Sequence, residues 1–246
     1  MLVKNKKVVF MPDVHCPFQD KKALKSFYNF IKWFKPDVII NMGDLIDFYA
    51  ISDFVKDPIR ALKLQEELDE GRVVLEEVRN ICPKAEIHFI YGNHENRLKK
   101  YKWSNAKEFN SLRNLELEKL LDFDSLNIIS HPNGMMKYKG VIVKHGNVVR
   151  KFAGYTAKAE FEKNGMSGVS CHTHRLATYR HTNESGDYIW IEAGCLCKLN
   201  AEYLKGQKAN WQMGFAIGYF KENSKRYLIE TVPIIDNKAM YGGMLF

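Results

Sequence analysis

Val8-Val9-Phe10-Met11-Pro12-Asp13-Val14-His15 is the stretch on which the fold turns. Its first four residues are β-branched, aromatic or otherwise apolar and read as a short buried strand, which Pro12 ends and which delivers Asp13 and His15 to the loop beyond. The same unit returns twice. Residues 37–42 form a second apolar run closed by Gly43-Asp44, and residues 86–91 a third closed by Gly92-Asn93. Between the first two, Leu24, Phe27, Tyr28, Ile31 and Phe34 recur at helical spacing among lysines until Pro36 stops them, which predicts a surface helix over 21–34 packed on a sheet. A longer helical pattern covers 59–79. Strand and helix in alternation predict an α/β sheet, with right-handed crossovers where its strands run parallel.

Further along, spaced leucines and phenylalanines among Glu and Lys predict a helix over 104–122. The period then shortens, and strands are expected at 126–130, 135–138, 141–145, 169–171, 176–181, 188–192, 215–220 and 226–234, interrupted by one helix over 155–164. No Gly/Ser/Pro-rich linker and no internal repeat divides the chain, so residues 1–246 are expected to form a single domain of two sheets packed face to face with helices outside.

The 246 residues are 46% hydrophobic, 27% charged and 13% aromatic, enough apolar material for a sizeable core and too much for a disordered chain. No apolar run approaches the roughly 18 residues needed to span a bilayer. The N-terminal lysines run into an apolar stretch too short for a signal peptide, and a cytoplasmic protein is expected. Five sparse cysteines, with Cys195-x-Cys197 the only close pair, argue against a disulfide scaffold. Lys and Arg exceed Asp and Glu by 37 to 29, and the net charge of +8 favours approach to anions, nucleic acid and phosphorylated small molecules among them.

Five segments place metal-ligand side chains just after predicted strands: Asp13-Val14-His15, Gly43-Asp44-Leu45-Ile46-Asp47, Gly92-Asn93-His94-Glu95, Lys144-His145-Gly146 and Cys171-His172-Thr173-His174. Any one of them alone reads equally well as a polar loop or a capped helix start. Together they matter, because in open α/β sheets the carboxyl ends of neighbouring strands converge on one crevice. Carboxylate, imidazole and amide oxygen donors suit divalent Mn, Fe or Zn. Two such ions about 3.5 to 4 Å apart lower the pKa of a shared water, neutralise phosphoryl oxygens and clamp an in-line displacement at phosphorus.

In order and content these blocks resemble those of the calcineurin-like metallophosphoesterase superfamily: D-x-H, G-D-x-x-D, G-N-H-(E/D), a lone H and G-H-x-H. The resemblance spans residues 13–174 and implies an αββα sandwich of two mixed sheets flanked by helices, the metallo-dependent phosphatase fold. It implies two divalent metal ions, Mn favoured, with Fe, Zn or Ni as alternatives. Asp13, His15, Asp44 and His174 would hold one ion, and Asp44, Asn93, His145 and His172 the other, with Asp44 as the bridge. His94 resembles the histidine that protonates the leaving oxygen, and Asp47 the carboxylate that orients it. Asn93, His94 and Arg97 would meet the substrate phosphate. Two departures stand out. Phe48-Tyr49 follows Asp47 where the Ser/Thr protein phosphatase branch has Arg-Gly, and Cys171, read as a packing residue, replaces the usual Gly.

A basic, aromatic run follows His94, Glu95 to Trp103, and Lys144, Arg150, Lys151 and Arg175 flank other ligand segments. Phosphates and stacked bases would suit such a surface. The reading reached is a phosphodiesterase acting on a nucleotide or nucleic acid, with a phosphomonoesterase as the alternative and a non-catalytic binding scaffold as a third. With only 72 residues beyond His174, short or single-stranded diesters are favoured over long duplex. His88, His131 and His181 match no block and are expected to be structural or on the surface. The segment 192–197 follows a strand and is expected near the site, with no role readable for any residue in it.

Overall fold

Side chains along β1 (Asn5–Met11) alternate between two different cores. Val9 and Met11 face one, Val8 and Phe10 the other, and all four are essentially buried. A strand covered on both faces must lie inside a layered structure. The computed structural model describes residues 5–53, 63–200 and 208–246.

The further strands are β2 (Val38–Asn41), β3 (Glu86–Ile90), β4 (Ile128–His131), β5 (Met135–Tyr138), β6 (Val141–Lys144), β7 (Gly168–Ser170), β8 (Leu176–Asn183), β9 (Gly186–Ala193), β10 (Gly214–Lys221), β11 (Tyr227–Ile235), β12 (Lys238–Tyr241) and β13 (Met244–Leu245). One sheet has the order β13-β12-β11-β10-β1-β2-β3-β4, and the other β5-β6-β7-β9-β8. In the first, β1 to β4 are parallel and β10 returns antiparallel beside β1. In the second, β6, β7 and β9 are parallel. Both sheets are therefore mixed.

Phe10, Ile40, Ile90 and Ala216 of the first sheet meet Val143, Val169, Ile191 and Ala193 of the second in one core. On the outer face of the first sheet, α1 (Lys21–Phe34) and α2 (Leu64–Ile81) cover Val9, Ile39, Ile87 and Phe215. Asp20 caps α1 by accepting from the backbone N–H groups of Lys22 and Ala23, both at 2.9 Å, a contact commonly contributing about 1 kcal/mol. Phe27 and Phe30 press on Phe215 with ring centroids 5.1 and 4.9 Å apart. The outer face of the second sheet is covered by α5 (Tyr155–Asn164), whose Ala157 and Phe161 pack on Ile142 and Trp190. The expected αββα sandwich is what the chain forms. Because β10, from the C-terminal part, sits beside β1, we propose that the whole is one domain.

One expected helix is corrected. Instead of a helix over 104–122, the chain forms α3 (Glu95–Asn105), two 3₁₀ turns (Lys107–Ser111 and Arg113–Leu115) and the single turn α4 (Leu117–Leu120). Residues 107–114 are all exposed, so a helix there would have no buried face to stabilise it, and Asn105, Asn110 and Asn114 favour turns. Only from Leu117 onward, with Leu121, Phe123 and Leu126, does the segment re-enter the core. The helix expected over 59–79 is α2, and its expected start at 59–62 lies outside the described residues. The C-terminal strands β12 and β13 were not expected, although Gly242-Gly243 between them is a hairpin signal.

Candidate metal centre

The parallel registers Met11↔Asn41 and Asn41↔Phe89 bring the carboxyl ends of β1, β2 and β3 level, and Lys144↔Ser170 does the same for β6 and β7. The loops leaving these ends are tied to one another through the backbone. Val14 and His15 donate their N–H groups to the Asp44 carbonyl at 3.0 and 2.9 Å, and Cys16 donates to Leu45 at 2.7 Å. Glu95, fully buried, accepts from the backbone N–H groups of Asp44, Leu45 and Gly92 at 2.8, 2.9 and 2.8 Å. A Cβ on Gly92 would lie 2.1 Å from Asp44 Oδ1, and one on Gly43 would lie 2.5 Å from Gly92 N, so only glycine lets these two turns touch. His15, Asp44, His172 and His174 all adopt left-handed backbone, with φ of 53°, 51°, 69° and 56°. Strain of this kind, about 1–3 kcal/mol per residue, gathers where side chains must be aimed.

Two groups of donors result. His15 Nε2 stands 3.1 Å from His174 Nε2, 3.9 Å from Asp13 Oδ1 and 3.8 Å from Asp44 Oδ2, and His174 Nε2 is 3.6 Å from Asp13 Oδ1. His145 Nε2 stands 2.9 Å from Asn93 Oδ1, 3.2 Å from His172 Nδ1 and 3.2 Å from Asp44 Oδ2. Asp44 belongs to both. With ligand bonds near 2.0–2.2 Å, donors sharing one ion sit about 3–3.5 Å apart, and these spacings suit that arrangement.

The other ring nitrogens fix the tautomers. His15 Nδ1 donates to Asp47 Oδ2 at 3.0 Å, His145 Nδ1 to the Met42 carbonyl at 3.0 Å, and His174 Nδ1 faces Cys197 Sγ at 3.7 Å. For His15 and His145, whose Nδ1 faces an acceptor, this leaves the Nε2 lone pair turned inward, as metal-binding histidines require. Asp13 Oδ1 is buried and has no hydrogen-bond partner, an orphan that a cation would satisfy.

Burial works against the charges on Asp13, Asp44 and Asp47, but the surrounding imidazoles prevail. His174 helps hold Asp13 at about 2, and Asp44 and Asp47 also lie below the usual carboxylate range. Burial likewise opposes the imidazolium forms of His145 and His94, yet Asp44 raises both above the ordinary value, and Asp13 does so for His174. His15 and His172 are lowered, by burial first and then by neighbouring imidazoles. Anionic carboxylates facing inward lone pairs are the donor set a divalent cation takes.

A sequence profile of calcineurin-like phosphoesterases matches residues 6–206. The chain belongs to that family. Membership carries a phosphoester substrate and metal-dependent hydrolysis; metal identity is a separate matter. Among curated relatives, the gene 54 proteins of Mycobacterium phages D29 and L5 are each 29% identical, over 97% and 98% of this chain and 98% and 99% of their own lengths. A vacuolar protein sorting 29 structure from Cryptosporidium parvum superposes with a TM-score of 0.50 at 13% identity, covering 96% of this chain and 95% of that one, a likeness of fold alone.

In this calcineurin-like phosphoesterase the structure brings together all seven of the expected metal ligands. It places His94 beside them, Nε2 3.7 Å from Asp44 Oδ2, with its backbone N–H on Asp44 Oδ1 at 2.9 Å. Asp47 holds His94 chiefly through its main-chain oxygen, 2.8 Å from Nδ1, while its carboxylate is closer to His15 than to His94, at 3.0 against 3.4 Å. Arg97 bonds the Asp47 carbonyl at 2.8 Å, the Asp47 carboxylate at 3.3 Å and His94 Nε2 at 3.1 Å. Cys171 lies on the Nδ1 side of His145, 3.2 Å away, and burial pushes its thiol up to about 12, so it packs as a neutral group. His88 and His131 pair at 3.0 Å across β3 and β4, and His181 packs on Phe161, apart from the centre.

Three residues went unread in the sequence: Glu95, Cys197 and Glu192. Glu192 accepts from Thr173 Oγ1 at 2.8 Å and from Gly154 N at 2.6 Å, pinning the turn between His172 and His174 to the start of α5. Its signal was a carboxylate at the end of an otherwise apolar strand. Trp211 packs edge-on against His174, with ring centroids 4.3 Å apart. Among the described residues no helix is long and apolar enough to cross a membrane.

Proposed function

We propose that the chain is a dinuclear-metal phosphodiesterase acting on a nucleotide or nucleic acid. The observation that carries the proposal is the convergence of seven donors at 2.9–3.9 Å spacings beside an independent histidine, His94. Asp13, His15, Asp44 and His174 would hold one ion and Asp44, Asn93, His145 and His172 the other, with manganese the first choice and Fe, Zn or Ni as alternatives for a mixed set of three oxygen and four imidazole donors. Bound there, two divalent ions would supply Lewis acidity and lower the pKa of water in the site.

The chain's own residues do the rest. With Arg97 donating to Nε2, His94 is the neutral tautomer whose Nδ1–H bonds the Asp47 carbonyl. Arg97 drawn onto a substrate phosphate, which its guanidinium grips at two oxygens, frees Nε2 to carry a proton. Asp47, whose carbonyl and carboxylate both face Nδ1, supports that imidazolium, and Nε2–H then donates to the leaving ester oxygen. Asn93, next in the chain, completes the phosphate contact.

Preference for a diester follows from charge. A monoester dianion calls for more cationic grip than a diester monoanion, and the position after Asp47, arginine in the protein phosphatase branch, is here the fully buried Phe48. The basic balance of the chain favours a polyanionic substrate. A cytoplasmic setting belongs to the same proposal, supported by five cysteines that are all free. The test is metal-stripped protein reloaded with Mn, Fe, Zn or Ni and assayed on bis-p-nitrophenyl phosphate, p-nitrophenyl phosphate and labelled oligonucleotides. Faster hydrolysis of the diester is expected; faster hydrolysis of the monoester would establish the phosphomonoesterase instead.

A further inference from the structure

The loop from Gly146 to Gly154 joins the end of β6, immediately after the ligand His145, to α5, and it displays what a folded loop ordinarily hides. Val149, Phe152 and Tyr155, at the start of α5, are 54%, 48% and 58% exposed, with the exposed cations Arg150 and Lys151 between them. Single exposed apolar residues are ordinary; three interleaved with two cations within seven positions are not. Phe152 and Tyr155 meet edge to face, with centroids 5.4 Å apart, and Lys151 Nζ lies 5.2 Å from the Phe152 ring centre.

The display is held in place from the metal centre. Arg175, the residue after His174, bonds the Arg150 carbonyl with its guanidinium. Glu192 joins Gly154 N to Thr173, between the ligands His172 and His174. The Arg150 N–H bonds Thr156 Oγ1 at 3.1 Å, and the Tyr155 N–H bonds the Phe152 carbonyl at 3.2 Å. The backbone that carries the two aromatic rings is therefore tied to the ligand loops, which lowers the cost of ordering it for a ligand.

We propose that Phe152 and Tyr155 form a stacking platform for bases of a single-stranded polynucleotide, with Arg150 and Lys151 taking the flanking phosphates. The proposal rests on the phosphodiesterase reading above and names its substrate as a single strand, because only unpaired bases offer their faces to aromatic rings. Charge complementarity decides the occupant. Two cations beside two ring faces fit alternating phosphates and bases, whereas an apolar protein partner would leave the cations unmatched.

The test is fluorescence polarisation of a 5′-labelled twelve-residue oligothymidylate on the full chain without added metal. Phe152→Ala and Tyr155→Ala are each expected to weaken binding by about 5- to 100-fold, with Phe152→Tyr and Tyr155→Phe restoring it. Lys151→Gln should lower the salt slope of log K by about 0.7. A duplex of equal length should bind more weakly than the single strand and respond less to the alanine variants. Unchanged oligonucleotide affinity in the Phe152→Ala/Tyr155→Ala double variant overturns the platform, as does loss of anionic-vesicle binding in that variant with oligonucleotide binding intact. Hydrolysis of bis-p-nitrophenyl phosphate by the metal-loaded wild type separates the two claims: if it is present while stacking is absent, only the platform fails, and if it is absent while stacking is present, only the phosphodiesterase fails.

Discussion

On the first sheet the buried Glu95 carboxylate takes N–H groups from Asp44, Leu45 and Gly92, and the loop of Asp13 and His15 hangs in turn on the Asp44 and Leu45 carbonyls, whereas each second-sheet histidine adds a contact of its own to the turn that Glu192 pins. His145 is held by the Met42 carbonyl, His174 faces Cys197, and His172 donates its backbone N–H to Asp13 Oδ2 at 3.0 Å. One half of the centre is thus a block, and the other an assembly of separately anchored rings. The contrast predicts that damage to the first half spreads and damage to the second stays local.

The largest effect should come from Glu95→Ala. It orphans the backbone donors of Asp44, Leu45 and Gly92 and a longer one from Ile46 at 3.4 Å, each costing on the order of 1–3 kcal/mol when left buried and unpaired. Thermal denaturation should show a loss of several kcal/mol, and metal analysis should show both ions gone; retention of either ion would break the picture of a shared fastening. Next comes His94→Ala, which leaves the ligands in place. Turnover on diesters with poor leaving groups should fall about 10²- to 10⁴-fold with metal content unchanged, and a normal steady-state rate would remove the acid role. Because Asp44 and Asp47 raise the His94 pKa against burial, its imidazolium persists above the ordinary 6.5. An NMR titration of the metal-free protein should accordingly place the His94 imidazole above that value, with the signal lost in His94→Gln.

A middling effect is expected of Asp47→Asn. Since its carboxylate bonds His15 at 3.0 Å more closely than His94, the variant should lose about 10- to 100-fold in affinity for one ion, read by calorimetric metal titration. An effect on rate alone would mean that Asp47 serves His94 only. The smallest is Cys197→Ala. A 3.7 Å sulfur contact is weak, and first-ion affinity should drop less than about 10-fold, restored by Cys197→Ser. A collapse of the whole centre in that variant would contradict the local anchoring of the second half.

Which parts of this were legible in the sequence follows from the range of the interactions. Each candidate ligand sits where a strand's apolar period gives way to a turn, a local signal, so the convergence of Asp13, His15, Asp44, Asn93, His145, His172 and His174 was readable as an expectation. Both sheets and the αββα order were readable for the same reason. Glu95 was visible inside its block, but its work is done on the backbone of Asp44 and Leu45, about fifty positions away. Glu192 acts across gaps of 19 and 38 positions and Cys197 across 23, and the carboxylate after Ile189-Trp190-Ile191 was the one local signal for either. The segment 104–122 misled because its spaced leucines imitate a helix face, while burial, which decides, is absent before Leu117. Arg97 was read as a phosphate grip, and the structure sets its guanidinium on Asp47 and His94.

The most direct measurement is anomalous scattering from crystals of manganese-loaded protein, with elemental analysis of the same sample. Two adjacent peaks are predicted, one among Asp13, His15, Asp44 and His174 and one among Asp44, Asn93, His145 and His172, with two ions per chain. A single peak, none, or peaks away from Asp44 would contradict the shared centre.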